Sequence, residues 1–274
     1  RIKNSHACLF FVDAQRRFGV AAKAMADGEK RTALVLGASS PGGLGEAVAR
    51  RLAADGFELV IAGRRREPLE ALASDIGGRA VVCDVTDEDS VAAMAEAAGP
   101  LAVAVNAAGT TDVGGIAKIK RERIEAQLAI HVIGNLLFMK HVVANMGKGG
   151  SIVLFSSLTA RVPGTGLAAY AGAKAALEHI VRIAALEFGP RGIRVNAVAP
   201  GFSRTPMTEA FLADERIAGI YRNETALGAL TEPEQVAATV SWLAARDCFT
   251  TGETIAVSGG AQLLRLPTGA ELRG

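Results

Sequence analysis

Seven short, almost uninterrupted apolar runs, spaced by stretches of helical length, constrain this chain more than any other feature. They are Ala33–Leu36, Glu58–Ala62, Ala80–Cys83, Leu101–Val105, Ser151–Phe155, Ile193–Val198 and Thr254–Val257. A strand with one face in water alternates apolar and polar residues; a strand covered on both faces does not. The runs therefore read as parallel strands buried between helices. Segments such as Glu46–Asp55, Asp87–Ala98, Arg121–Val143, Ala168–Phe188 and Glu234–Ala245 supply the crossovers. Strand, helix, strand in repetition predicts an α/β fold with a doubly wound parallel sheet, in a single domain. Half of the 274 residues are hydrophobic and a fifth charged, enough to build that core.

Local signals place the helix ends. Thr86-x-x-Asp89 and Thr231-x-x-Glu234 sit at N-cap positions, with Pro233 in the first turn. Gly56 follows the first helix, and Gly189-Pro190 ends the fifth. The rhythm occupies residues 31–261. Residues 1–30 lie outside it, and Met25-Ala26-Asp27-Gly28 has the look of an ordinary protein start. The first residues are expected to be a leader or extension, the other reading being an arm that packs on a neighbouring subunit. Residues 262–274 form a tail without a readable pattern.

The net charge of +2 gives no support to a nucleic-acid partner or an anionic membrane surface. No apolar run reaches bilayer-spanning length. Cys8, Cys83 and Cys248 are odd in number and far apart, so they read as reduced thiols of a cytoplasmic protein. His6, His131, His141 and His179 show no metal-ligand spacing, and no metal is expected.

A glycine-rich turn, Gly37-Ala-Ser39-Ser40-Pro-Gly-Gly43-Leu44-Gly45, follows the first strand and opens a helix. Glycines there let the backbone turn tightly against a pyrophosphate, which the helix N-terminus then faces. The end of the second strand selects the nucleotide. A carboxylate would bond a ribose 2′-hydroxyl, but the chain reads Gly63-Arg64-Arg65-Arg66. Arg64, supported by Arg65, is placed to meet a 2′-phosphate. NADP(H) is the expected cofactor, with NAD(H) second; the competing reading is a solvated basic turn.

At the chemical end, Tyr170-Ala-Gly-Ala-Lys174 puts a phenol and an ammonium on one helix face. The free phenol has a pKa of about 10, and a nearby ammonium is expected to lower it, making a proton donor and acceptor. Ser156-Ser157 ends the fifth apolar run, where open sheets place ligands, and Ser157 is placed to polarise a carbonyl oxygen. Asn106-Ala107-Ala-Gly109 and Asn196-Ala-Val-Ala-Pro200-Gly201 end two further strands.

From about Arg31 to Ala261 these motifs, with Asp84-Val85, Thr205 and the closing Val257-Ser-Gly-Gly260, resemble the short-chain dehydrogenase/reductase family. The resemblance implies a Rossmann-type sheet of about seven strands and a homodimer or homotetramer built on the helices 121–143 and 168–188. It implies that Tyr170 is general acid and base, that Lys174 tunes it and holds the nicotinamide ribose, and that Ser157 orients the substrate oxygen. Asp84 and Val85 would lie by the adenine, Asn106, Ala107 and Gly109 along the cofactor, and Pro200, Gly201 and Thr205 at its nicotinamide end.

Two departures stand out. Five residues separate Gly37 from Gly43, two more than the family's usual spacing, with Pro41-Gly42 as the extra pair and Leu36 in place of a threonine. Where the family carries Asn-x-x-Gly in its fourth helix, this chain has His131-Val-Ile-Gly134. Asn135 lies about a turn further along and is not a positional substitute. His131 either takes over the proton relay, since imidazole both donates and accepts, or is a packed histidine. Substrate walls are expected at Leu158–Gly166, where Arg161 either attracts an acidic group or faces water. A second wall is expected at Phe202–Tyr221. There Phe202, Met207, Phe211 and Leu212 form a lid, or a helix packed on the sheet.

The function expected is interconversion of a ketone and a secondary alcohol, including 3-oxoacyl thioesters as a substrate type. An enoyl-thioester reductase is the second enzyme reading, suggested by the long glycine turn and opposed by the Tyr/Lys step of four. A nucleotide-binding protein without turnover is the third.

Overall fold

The computed structural model describes residues 31–273, so the expectation for a leader, with Cys8 and His6, lies outside the described residues. In chain order the principal elements are β1 Thr32–Leu36, α1 Leu44–Ala54, β2 Glu58–Gly63, α2 Arg66–Ile76, β3 Arg79–Val82, α3 Glu88–Ala98 and β4 Leu101–Asn106. Next come α4 Arg121–Leu128, a π-helical turn Ala129–Ile133, α5 Gly134–Val142, β5 Met146–Phe155, α6 Ala168–Phe188 and β6 Arg194–Pro200. The chain closes with α7 Glu209–Leu212, α8 Glu215–Asn223, α9 Pro233–Ala244, β7 Thr254–Val257 and α10 Gly269–Arg273.

All seven strands are parallel, in the order β3-β2-β1-β4-β5-β6-β7. The side-chain period of two divides each central strand between two cores. Leu34, Leu36, Ala104, Ile152 and Leu154 face α3, α5 and α6 through Met94, Phe138, Val142, Leu177 and Val181. Val35, Val103, Val105, Val153 and Phe155 face α1, α2 and α9 through Val48, Leu52, Leu69, Val236 and Val240. Burial on both faces is why the strand sequences lack alternation. Strand order reverses between β1 and β4, and a crevice opens at such a switch point beyond the strand C-termini.

Two expectations are corrected. The caps lie one residue later than read: Asp87 caps α3 through the N–H groups of Asp89 and Ser90, and Glu232 forms a reciprocal capping box with Gln235 at α9. α6 ends at Phe188 with Gly189 as its C-cap, where the sequence placed the stop, and Gly192 then takes the left-handed conformation at φ 71°. Residues Arg121–Asn145 do form one continuous helical run long and apolar enough to cross a membrane. Phe138, Met139 and Val142 of that run sit in the core, which accounts for its apolar character.

Candidate active site

The glycine turn is shaped by two close backbone approaches. Gly37 has φ 94°, and a Cβ there would lie 2.4 Å from the nitrogen of Ala108. A Cβ on Gly45 would lie 2.3 Å from the carbonyl oxygen of Gly37. The three segments meet only because both lack side chains. The two extra residues are accommodated outward. Pro41 and Gly42 are exposed, Gly43 N–H closes a turn onto the Ser40 carbonyl at 2.9 Å, and Glu46 accepts the Gly42 N–H at 2.7 Å. The insertion leaves Gly43 and Leu44 at the start of α1, where free N–H groups favour an anion.

A cleft of about 780 Å³ runs from this turn across the β1/β4 switch point. Gly37, Ser39, Ser40, Gly43, Leu44, Gly45, Arg64, Arg65, Asp84, Val85, Ala107, Gly109 and Thr205 line it. Arg65 donates to the Ser39 carbonyl at 2.5 Å, which fixes it against the turn. Arg66 opens α2, pairs with Glu70 and is not in the lining. The Asp84 carboxyl is held below its ordinary range by bonds from Thr86, with the Arg64 charge adding to it. The glycine cradle, the anion-seeking helix start and two cations suit a dinucleotide phosphate chain. Thr110, Ile130 and Pro206, which no sequence motif singled out, also line the cleft, together with Thr86, read as a helix cap, and Met207, read as part of a lid.

Five residues expected near the cofactor lie outside that lining. Asn106 is buried, accepts the Ala108 N–H at 3.0 Å and donates to Asn135 at 3.0 Å, so its amide is consumed within the protein. Pro200 is buried, and Gly201 packs on Ser258 and Thr231. Tyr170 and Lys174 are likewise outside the lining; Tyr170 is bonded to Ser157 and to Thr111 of the loop after β4.

Ser157 lies two residues past the end of β5, and its Oγ accepts two bonds, from Thr159 N–H at 3.2 Å and Thr159 Oγ1 at 3.0 Å. A hydroxyl has two acceptor sites and one proton. With both acceptor sites taken, Ser157 is left as a donor, and it bonds the Tyr170 phenol. Thr111 bonds the same phenol. Burial pushes the Tyr170 pKa up, and these hydrogen bonds oppose it. The direction is opposite to the one expected from an adjacent ammonium. Lys174 lies 5.7 Å from the phenol ring centroid, donates to the Phe155 carbonyl at 2.5 Å and is buried, which pulls its own pKa down to about 7.

His131 is fully buried in the π-helical turn. Its Nε2 lies 2.8 Å from the Thr110 carbonyl. A carbonyl only accepts, so Nε2 carries the proton and Nδ1 is a lone-pair acceptor. Nδ1 is buried without a hydrogen-bond partner. Burial, with the Lys174 charge, lowers the imidazole pKa to about 3, so the ring is neutral at physiological pH. The Asn135 amide donates to the His131 carbonyl at 2.9 Å. Asn106, Asn135 and the π-helical turn thus form one buried chain from the end of β4.

Arg161 neither faces water freely nor waits for an acid. It pairs with Glu178 at 3.0 Å and donates to the Thr254 carbonyl, while Glu178 also accepts from Ser156 at 2.9 Å. In the second wall Phe202 stacks on Tyr221 at 3.6 Å, while Met207 and Phe211 remain half exposed and Leu212 partly buried. Thr205, Pro206 and Met207 of that segment line the cleft.

A family model described as Enoyl-(Acyl carrier protein) reductase matches residues 37–262. The human protein "Dehydrogenase/reductase SDR family member 4" is 33% identical over 235 residues, covering 81% of this chain and 84% of the relative. A short-chain type dehydrogenase/reductase from Mycobacterium ulcerans superposes with a TM-score of 0.83 at 31% identity, covering 90% of this chain and 98% of the other. An actinorhodin polyketide ketoreductase variant solved with NADPH gives a TM-score of 0.79 at 26% identity, over 87% of this chain and 99% of the other.

Proposed function

The chain belongs to the short-chain dehydrogenase/reductase family, and on that premise we propose that it is an NADP(H)-preferring oxidoreductase interconverting a ketone and a secondary alcohol. The observation that carries the reading is the donor-locked Ser157 hydroxyl bonded to the Tyr170 phenol, with Lys174 one helical turn on. The bound nicotinamide supplies or takes up the hydride. In reduction the single Ser157 proton turns from the phenol to the carbonyl oxygen, and Tyr170 hands that oxygen its phenolic proton, giving the alcohol. Lys174, with two N–H groups beyond its bond to Phe155, stabilises the resulting phenolate and holds the ribose. The phenolate is reprotonated from solvent; Nδ1 of His131 holds no proton to give, and its part is to accept a hydrogen bond from the water that delivers one. In oxidation the phenolate takes the alcohol proton.

Arg64 and Arg65 beside the glycine turn support NADP(H) over NAD(H), as does the ketoreductase relative solved with NADPH. The exposed Leu136, Ile183 and Leu186 on α5 and α6 support a homodimer or homotetramer through those helices. Free, buried Cys83 and Cys248 support a cytoplasmic setting. The description of the matching family model and the long glycine turn favour a second reading, an enoyl-thioester reductase. The step of four from Tyr170 to Lys174 opposes it.

Loss of NADPH absorbance with a panel of cyclic and acyclic ketones, 3-oxoacyl thioesters and enoyl thioesters tests both readings. Turnover of ketones supports the first, and turnover of enoyl thioesters alone replaces it with the second. Binding of NADPH without turnover of any would leave a nucleotide-binding protein.

A further inference from the structure

The tail after β7 is organised by contacts that no motif announces. A turn at Gly260, φ 82°, leads into Ala261–Leu263, an extended stretch and α10. Ala261 packs with Leu158 and Val162, and Leu266 joins that cluster. Leu158 is the residue after Ser157. Further along the same loop, a Cβ on Gly164 would lie 2.6 Å from Leu266 Cδ1. Leu266 therefore seats directly on the loop that joins Ser157 to Tyr170.

The other side of the tail holds α8. Arg265 reaches Glu224 at 2.7 Å, and both oxygens of Glu271 at 2.7 and 2.8 Å. Arg216 of α8 donates to the carbonyls of Glu271 and Leu272 at 2.8 and 2.9 Å, so it caps the last turn of α10. Within α8 only Ala218 is fully buried, so these polar ties and the stack of Tyr221 on Phe202 hold the helix. The ring closes on the far side: Thr111 bonds Met207 at 3.3 Å, and Gly114 N–H bonds the Gly166 carbonyl at 2.8 Å. Tail, loop 158–167, loop 109–114 and segment 202–224 thus encircle Tyr170.

We propose that residues 261–273 are a strap that sets the width of the substrate mouth, with Leu266 the specificity-determining wedge and Arg265 the tie to α8. The wedge is apolar and sits on an apolar cluster, so the part of the substrate it meets is an apolar substituent of the ketone. The Arg265 end of the tie is exposed while Glu224 is largely buried, so its hold weakens in part as salt rises. This rests on the reading that a ketone is reduced at Ser157 and Tyr170.

The test compares wild type, Leu266→Ala, Arg265→Ala and Arg265→Lys with NADPH, using cyclohexanone and 1-decalone as small and large ketones. Leu266→Ala is expected to lower KM for the decalone about fivefold or more and leave cyclohexanone within twofold. Arg265→Ala is expected to raise KM for both at least threefold with kcat held, and to abolish the salt dependence of KM; Arg265→Lys restores part of it. Hydrogen exchange is the second readout. In Arg265→Ala, residues 158–167 and 209–224 should exchange several-fold faster while the β4 and β5 amides stay unchanged. KM ratios and exchange rates equal to wild type in both variants overturn the strap. If wild type turns over neither ketone, the ketone reading fails, and the exchange comparison alone decides the strap.

Discussion

The imidazole of His131 stands edge-on to the phenol of Tyr170, with ring centroids 5.3 Å apart and planes at 79°. Gly109 makes room for it, since a Cβ there would lie 2.9 Å from His131 Cε1. The ring is fixed through Nε2 on the Thr110 carbonyl and through its own carbonyl on Asn135. In the relay proposed above it would therefore serve as a fixed, neutral acceptor, with no change of charge near neutral pH.

His131→Ala removes both the edge contact and the Nδ1 acceptor. It should lower kcat by roughly tenfold, the scale of about 1.4 kcal/mol, and change the pH–rate profile. His131→Asn should lose less, because an amide also accepts. Rates and profiles indistinguishable from wild type in both would remove His131 from the mechanism. Stability gives an independent reading. With a folded pKa of about 3 against an ordinary 6.5, the unfolded chain binds a proton first as pH falls. Stability is thus lost progressively from about pH 6.5 down to about 3. Denaturation midpoints followed over that window should fall less steeply in His131→Asn.

Lys174 illustrates a cost accepted for chemistry. Its ammonium is buried, and its pKa falls from 10.5 to about 7. Between those values the unfolded chain holds a proton that the folded one lacks, so wild-type stability rises with pH across the window. Lys174→Met should abolish turnover yet raise Tm at pH 7 by several degrees, at roughly 2–4 °C per kcal/mol for a domain of this size. The Tm gap between variant and wild type should shrink as pH goes from 7 to 10. A variant less stable than wild type at pH 7 would contradict the burial argument.

Arg64 and Arg66 are neighbours in sequence with opposite prospects. Arg64 lines the cleft, whereas Arg66 pairs with Glu70 on α2. A hydrogen bond to a charged group contributes about 1.5–3 kcal/mol. Arg64→Ala should therefore raise KM for NADPH on the order of 10- to 100-fold with little change for NADH, and Arg66→Ala should change neither. Wild type binding NADH clearly more tightly than NADPH would overturn the assignment.

Some of this was legible in the sequence and some was not, for physical reasons. Burial on both faces writes strands as continuous apolar runs, so the seven strands and their polar ends could be read directly. Helix caps were misplaced by one residue because Thr86 and Asp87 are both good cap formers and only backbone direction decides between them. The glycine turn announced itself, because close backbone approach demands Gly37 and Gly45. Arg161, Asn106 and the tail were illegible. Their roles depend on Glu178, Asn135 and Gly164, partners brought close only by the tertiary fold. Thr111 and Thr159 carry no motif; each matters through one hydroxyl at the right spot.

Thr159 offers the sharpest check on the site, because its two bonds decide which way the Ser157 proton points. Thr159→Val keeps the size and the backbone N–H but deletes the hydroxyl donor, so one acceptor site on Ser157 Oγ becomes free. Ser157 can then accept from Tyr170 as readily as donate to it. In reduction, that arrangement engages the proton that Tyr170 must deliver and turns it away from the substrate oxygen. Losing one such bond, worth about 0.5–1.5 kcal/mol, should lower kcat roughly 3- to 10-fold while leaving KM for NADPH unchanged, since Thr159 lies outside the cofactor cleft. Thr159→Ser, which keeps the hydroxyl, should recover most of the rate. Equal kcat in Thr159→Val and wild type would mean that Ser157 is oriented by the substrate alone.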